Sequence, residues 1–437
     1  MMLLGTQRIN GAGRLEIGGC DAVELAERFG TPLYVMDEAE IRSKCRLYRQ
    51  AFEQRYDDVV VAFAGKAFLT LAMCSIAQQE GLALDVASGG ELFTAVRAAF
   101  PTDRIYLHGN YKTDEELRTA LAAGVGLIVV DSRTELDQVQ RVAKESGRKA
   151  TILLRVTPGI KPDTHSYVQT GQIDSKFGLG IETGEALAAA KHACSLPDVQ
   201  FVGIHCHIGS SIYVLEPFEI ATSIMVQFAA EVKRETGIAV AEVNMGGGLG
   251  VRYKPGDSPP SIDDYADVIV RTLRAETQRV GLPLPRLSVE PGRGIVGEAG
   301  VVLYRVGVVK KIPNLRTYVS VDGGLSDNPR PALYQARHNA ILAGRPNDAG
   351  VCKVTIAGRH CETDTLIPDI EIPLPKEGDI LAVQTTGAYC YSMASNYNRF
   401  ARPAVVLVGD GKAEVIVERE TPEDLISHDR LPAHLQS

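Results

Sequence analysis

The sequence predicts a (β/α)8 TIM barrel, an α/β fold, joined to a second, mostly antiparallel β domain. Three observations predict it. Between residues 59 and 290, eight short apolar runs alternate with longer amphipathic segments. Runs that short and that apolar are strands buried on both faces, which is the mark of a parallel sheet covered by helices. After Glu290 the helical periodicity gives way to strand-like runs with turn-rich links. A chain of 437 residues is also longer than one ordinary core serves.

The eight apolar runs are Val59–Phe63, Leu82–Val86, Ile105–His108, Gly126–Val130, Thr151–Val156, Phe201–His205, Glu242–Met245 and Arg286–Glu290. Helical patterns such as Leu69–Gln79, Glu91–Ala99, Thr134–Ser146, Pro217–Thr236 and Ile262–Val280 separate them, and a long polar loop follows Val156. Eight such units match the size of a closed barrel. A six-stranded doubly wound sheet would leave two repeats unexplained. The β domain is expected to use Val301–Lys310, Thr317–Val321, Cys352–Ala357, Asp379–Thr385, Ala404–Val408 and Ala413–Glu418. Leu15–Ile17 and Leu33–Val35 are strand-like too, so that domain is expected to be discontinuous. The expected boundaries are 37–291 for the barrel, and 1–36 with 292–437 for the β domain.

Composition removes several function classes. There are 46 basic and 54 acidic residues, a net charge of -8 with no basic block, which argues against a nucleic-acid partner. No apolar stretch reaches the roughly 18 residues of a membrane span. The opening MMLLGTQRIN lacks the basic and apolar regions of an export signal. Eight cysteines without a C-x-x-C pair suggest neither a disulfide framework nor a zinc ribbon. A reduced, cytoplasmic enzyme is the expectation.

In a barrel of this kind chemistry sits at the C-terminal ends of the strands, and here those ends are rich in reactive groups. The first run delivers Lys66 to the barrel mouth, where desolvation lowers an amine's pKa and suits it to Schiff-base chemistry. Asp85 ends the second run, as a partner for that lysine or as a turn residue. Ser88-Gly89-Gly90-Glu91 fits a helix capping box, its amides otherwise free to face a ligand. His108-Gly109-Asn110 and Arg155 stand at the third and fifth ends. In His205-Cys206-His207-Ile208-Gly209-Ser210-Ser211, strand alternation would aim both histidines one way. That admits an H-x-H metal pair or an imidazole lying on an aromatic cofactor ring. No metal is expected, because the strand ends supply no full ligand set beyond His108.

Gly246-Gly247-Gly248 follows the seventh run and Glu290-Pro291-Gly292-Arg293 the eighth, where barrels commonly hold phosphate. Bare glycine backbone lets amides approach an anion closely. A carboxylate such as Glu290 beside a pyridine nitrogen keeps it protonated. An amine, a phosphate cradle, a stacking ring and an acid together describe a pyridoxal 5'-phosphate site.

These residues also carry a family likeness. From Pro32 to about Pro403 the chain resembles the fold-type III pyridoxal-phosphate decarboxylases, within them the branch that acts on diaminopimelate. The motifs are AFAGKA around Lys66, DVASGGE from Asp85, HCHIGSS from His205, NMGGGLG from Asn244, EPGR from Glu290, LSDNPRPALY from Leu325, AGRHCE from Ala357 and GAY from Gly387. The resemblance implies Lys66 as the Schiff-base lysine, His207 stacked on the ring and Glu290 at its nitrogen. It implies Asp85, Ser211, Gly248, Gly292, Arg293 and Tyr389 as further cofactor residues. Arg293, Arg330, Tyr334 and Tyr389 would bind substrate. Cys361, as proton donor, and Glu362, on the distal amino group, would come from a neighbouring subunit of a homodimer. The implied reaction turns meso-2,6-diaminopimelate into L-lysine and CO2; another diamino or D-amino acid, such as D-ornithine or D-lysine, is the alternative. A racemase, a pyridoxal-phosphate carrier without turnover and a metal-dependent barrel hydrolase are more distant readings. One departure stands out. The family usually continues after Cys-Glu with Ser-Gly-Asp, whereas this chain has Thr363-Asp364-Thr365, which is expected to alter how that loop sits.

Overall fold

The structure is a computed structural model that describes residues 1–160 and 175–436. The chain divides into two compact units, one of Arg42–Arg252 with Asp257–Val296, the other of Met1–Ile41, Tyr253–Gly256 and Gly297–Ser437.

The first unit is a closed barrel. Its strands are β1 (Val59–Ala64), β2 (Ala83–Val86), β3 (Ile105–Leu107), β4 (Leu127–Val130), β5 (Ala150–Thr157), β6 (Val199–His205), β7 (Glu242–Asn244) and β8 (Arg286–Val289). Each pairs in parallel with the next, and β8 pairs with β1, which closes the ring. Val is the commonest residue in these strands, because a β-branched side chain fits a pleated, packed surface. Inside the barrel Ala62, Ala83, Tyr106, Val129 and Leu153 form a buried layer, with Val60, Leu127 and Val202 packed against it. Between the strands lie helices including Leu71–Gln79, Gly89–Arg97, Asp114–Ala123, Arg133–Glu145, Glu185–Ser195, Glu216–Thr236 and Ile262–Val280. Thr113 and Glu116 cap Asp114–Ala123 reciprocally and Gly124 ends it in the left-handed conformation; such a cap is worth about 1 kcal/mol. The polar loop after β5 falls largely within residues 161–174, outside the described residues.

The second unit is built on one long strand, Gly300–Ile312. It pairs antiparallel with Leu33–Asp37, Ile380–Gln384 and Arg316–Val321. Leu33–Asp37 pairs in turn, in parallel, with Ala404–Gly409, so the N-terminal segment completes this sheet. Leu15–Ile17 sits in a separate three-stranded sheet, yet Leu15 and Ile17 are buried in the same core as Val301, Leu303 and Val406. Besides the two-residue strands Arg8–Ile9 and Cys20–Asp21, two strands escape the sequence pattern: Ala340–Leu342, which is only three residues long, and Thr365–Pro373. The latter contains Pro368, has Asp369 at φ 52° and slips register against Val351–Ala357, so its alternation is broken. Among the described residues no helix is long and apolar enough to cross a membrane.

Candidate active site

Strand register assembles the barrel mouth. Ala64 lies opposite Asp85, and His205 lies opposite both Arg155 and Asn244. Lys66 follows β1 on a single turn, Gly65–Ala67, and its Nζ stands 3.6 Å from Oδ2 of Asp85. Asp85 is 1% exposed, and neither of its oxygens accepts a hydrogen bond among the described residues. A buried carboxylate left this way is costly unless a cation or a ligand answers it.

Glu290 is the hub of the mouth. Its Oε1 accepts from Nε2 of His108 at 2.9 Å and Nδ2 of Asn244 at 2.8 Å, and its Oε2 accepts from Nε2 of His205 at 3.1 Å. Burial alone would raise this carboxyl's pKa, but His108 and His205 outweigh it and hold the group well below the usual carboxylate range. Burial pushes His205 down to about 4, so its ring is neutral and donates from Nε2. A carboxylate offers about four lone-pair sites; three are filled here, and one on Oε2 remains.

His108, His205 and Glu290 offer ligand atoms within 4.8 Å of one another. The hydrogen bonds between them account for that cluster. The H-x-H reading fails on geometry, because β6 ends at His205 and the alternation stops there. His207 instead accepts the Gly247 amide on Nδ1 at 3.3 Å. Burial, then Lys66 and Arg155, hold its pKa well below the usual value, so it is a neutral ring. Arg155 lies 3.7 Å from Asp131 with its guanidinium 4.4 Å from the centre of the Phe177 ring.

The glycine loops make close backbone approaches, strictest at Gly248. Gly248 sits at φ 129°, where a Cβ would come within 2.6 Å of the Gly209 carbonyl oxygen. A Cβ on Gly292 would press at 3.0 Å on the methyls of Ala64 and Ala67, which flank Lys66. The loop after β6 is zipped to the glycine loop by Ile212 N to Gly248 O and Gly250 N to Ile212 O, both 2.9 Å. Ser211, at φ 60°, belongs to that turn. Arg293, 4% exposed, donates from Nε and Nη2 to Ser210 Oγ at 3.2 and 3.0 Å. Thus Lys66, Asp85, His207, Ser211, Gly248, Glu290, Gly292 and Arg293 all belong to the barrel's strand ends.

Ser88 caps its helix as expected, its Oγ accepting from Glu91 N at 3.2 Å. The box is incomplete, because Glu91 reaches past the cap to the Ala87 amide at 2.6 Å. The Gly89 amide is taken by Glu116 at 2.8 Å.

In the β unit, Arg330 opens the short helix Arg330–Tyr334 and is 5% exposed. Its guanidinium carbon lies 5.1, 5.8 and 6.0 Å from the ring centres of Tyr334, Tyr389 and Tyr253, within cation–π range. Its Nε has no hydrogen-bond partner among the described residues. Cys361 and Glu362 are exposed on the loop after Val351–Ala357. Asn398 accepts the Cys361 amide at 3.0 Å and Tyr397 donates to Glu362 Oε1 at 2.6 Å. Sequence reasoning missed Asn244, Ser210, Tyr253, Asn398 and Tyr397. Asn244 alone had a legible signal, a polar residue ending an otherwise apolar run.

Residues 38–297 match the family described as pyridoxal-dependent decarboxylase, pyridoxal binding domain. The chain is 47% identical to the diaminopimelate decarboxylase of Bacillus subtilis over 430 residues, 98% of each protein. It is 45% identical to that of Synechocystis, covering 99% of this chain and 93% of the relative. A crystal structure of the diaminopimelate decarboxylase of M. jannaschii in complex with L-lysine superposes with a TM-score of 0.93 at 39% identity, covering 99% of both chains.

Proposed function

Since the chain belongs to the diaminopimelate decarboxylases of the pyridoxal-dependent decarboxylase family, we propose that the barrel-mouth residues bind the cofactor and those of the β unit receive the substrate. The enzyme is a pyridoxal-phosphate-dependent carboxy-lyase. It converts meso-2,6-diaminopimelate to L-lysine and CO2, the last step of lysine biosynthesis.

The observation that carries the reading is Lys66 Nζ, just past the end of β1, 3.6 Å from the buried Asp85 carboxylate, whose oxygens accept no hydrogen bond among the described residues. The residues fit pyridoxal 5'-phosphate. Lys66 supplies the amine, the bare backbone of Gly248 and Gly292 with Arg293 and Ser211 the phosphate cradle, and His207 a neutral ring to stack. Glu290, kept anionic by its histidines, has one acceptor position left for a pyridine N–H. When bound, the cofactor supplies an electron sink for the pair released as CO2 leaves. Lys66 would hold the cofactor through its amine, and Asp85, 3.6 Å away, would keep that amine in place. Arg293 and Arg330 bind carboxylate, for which the guanidinium fork is shaped; Tyr334 and Tyr389 flank Arg330. Cys361 returns a proton to the carbon that lost CO2, and Glu362 pairs with the distal ammonium.

Cys361 and Glu362 are exposed on their own subunit, which supports a homodimer in which each copy completes the other's site. Eight free thiols support the cytoplasm as the compartment. The test is a product assay on meso-diaminopimelate with the absorption spectrum recorded alongside. L-lysine should form, a visible cofactor band should be present, and Lys66→Ala should lose both. An unchanged spectrum in Lys66→Ala would overturn the reading of that lysine. Mixing inactive Lys66→Ala and Cys361→Ala subunits should restore activity if the sites are shared; no recovery after subunit exchange would exclude it.

A further inference from the structure

The barrel has a second opening at the N-terminal ends of its strands, opposite the ends that carry Lys66 and Glu290. A cavity of about 590 Å³ lies there. One water occupies roughly 30 Å³ of liquid, and small-molecule sites span about 300 to 1,000 Å³, so the space is of ligand size. Val60, Ala83 and Val202 line it on the inner layer beside Tyr106 and Leu127, and a long side chain at Ala83 would project into it.

Its lining is polar in a particular way. Glu242 starts β7, is 4% exposed and lines the cavity. Oε1 accepts from Ser288 Oγ at 2.6 Å and Tyr106 hydroxyl at 2.9 Å. Oε2 accepts no hydrogen bond among the described residues. It is also not among the fully enclosed atoms left without a partner, so it opens onto accessible space. In the wall, Arg104 gives Nη2 to the carbonyls of Gly81 and Leu82 at 2.5 and 2.7 Å. Its Nε and Nη1 make no hydrogen bond, and no carboxylate pairs with it, among the described residues. The other two arginines of the wall are already neutralised, Arg49 by Glu53 at 2.7 Å and Arg286 by Asp58 at 2.9 Å. That leaves the open Oε2 of Glu242 and the uncommitted edge of Arg104 on the lining of one cavity, with the exposed Asp103 carboxylate next to Arg104 in its wall.

We propose that this cavity is a second small-molecule site, which takes an unbranched amino-carboxylate with its ammonium on Glu242 and its carboxylate on Arg104. The complementarity is the argument: an anion alone would meet Glu242, and a simple amine would leave Arg104 unanswered. The inference does not depend on what Lys66 does.

The test is calorimetric titration of the cofactor-loaded enzyme with ω-amino-carboxylates from glycine to 6-aminohexanoate, with the visible cofactor band monitored throughout. At least one member should bind saturably without moving the band. Affinity for it should fall at least tenfold in Glu242→Gln and in Arg104→Gln, and should vanish in Ala83→Met, which fills the cavity. Lys66→Ala should bind as the wild type does. The proposal is overturned if no member binds, if affinity falls less than tenfold in Glu242→Gln, if binding survives in Ala83→Met, or if Lys66→Ala abolishes it. Each of the two barrel-floor variants decides by itself should the other fail to fold.

Discussion

Oε1 of Glu290 and Nε2 of His108 lie 2.9 Å apart, and the other carboxylate oxygen is held by His205 at 3.1 Å. Three strand ends thus converge on one buried anion. Both imidazoles donate, so the carboxylate must stay ionised to satisfy them. A glutamine in its place presents one carbonyl and one amide, and the amide meets an imidazole N–H donor to donor. In Glu290→Gln the ring-nitrogen partner loses its charge and its orientation together. Turnover of diaminopimelate should fall about 100-fold or more, the order seen when a preorganised charge partner is lost. The visible cofactor band should persist because Lys66 is untouched. Steady-state lysine formation read against the spectrum checks this; kcat within tenfold of wild type would refute the role.

Lys112 and Glu135 form a buried ion pair at 2.5 Å in the barrel wall. Lys112 also donates to the carbonyls of Gly109 and Val129 at 2.8 and 2.7 Å, so its ammonium is fully used. Lys112→Met leaves a buried carboxylate without its cation, a loss of about 3 to 5 kcal/mol. Adding Glu135→Leu removes the stranded charge and should recover part of that loss. Urea unfolding midpoints of the two variants, in that order, give the comparison.

The barrel was legible because burial on both faces forces continuous apolar runs, and eight of them leave few architectures. Lys66, Asp85, His205 and Glu290 were legible for a related reason, as ionisable residues ending runs with no other use for charge. What the pattern could not carry was partnership. Nothing in His205-Cys206-His207 says that β6 stops at His205 and that only this histidine turns to Glu290. Asn244 sat in plain view but without a partner to name. The β unit was harder throughout, since Thr365–Pro373 breaks its own alternation and the cage of Tyr253, Tyr334 and Tyr389 around Arg330 joins residues far apart in sequence.

Asp327 gives the β unit a pH signature. Its carboxyl accepts from the Tyr304 hydroxyl and, at 2.9 Å, from the Gly324 amide. Burial raises its pKa from 3.8 to about 7 despite those bonds. An acid with a raised folded-state pKa binds its proton more tightly in the native state, so its contribution is full below the unfolded value. That contribution is lost as pH rises from about 4 through about 7. Thermal midpoints of wild type and Asp327→Asn should therefore converge or favour the wild type at pH 4 to 5, and shift towards the variant at pH 8. A difference independent of pH would mean that Asp327 titrates normally.

The Thr363-Asp364-Thr365 departure acquires a physical meaning from Asp364. Its Oδ2 meets His360 Nδ1 at 2.5 Å and accepts the His360 amide at 3.1 Å, while Oδ1 accepts the Leu325 amide at 2.8 Å. His360 Nε2 accepts from Ser326 N at 3.3 Å, so the ring is neutral and donates from Nδ1 to the aspartate. The carboxylate is close against Gly324 and Gly358, where a side chain would collide with it. Asp364 thereby ties the segment just before Cys361 and Glu362 to the LSDNPRPALY turn that leads to Arg330. Asp364→Ala leaves three donors unanswered, the two on His360 buried and the Leu325 amide half-buried, at about 1 to 3 kcal/mol for each group that water cannot reach. The loop should loosen, with KM for diaminopimelate rising about tenfold and kcat falling less. Asp364→Asn keeps one acceptor oxygen and should recover part of the loss. Steady-state kinetics of the two variants decide the matter, and an Asp364→Ala enzyme with unchanged kcat/KM would show that the loop holds its shape without this carboxylate.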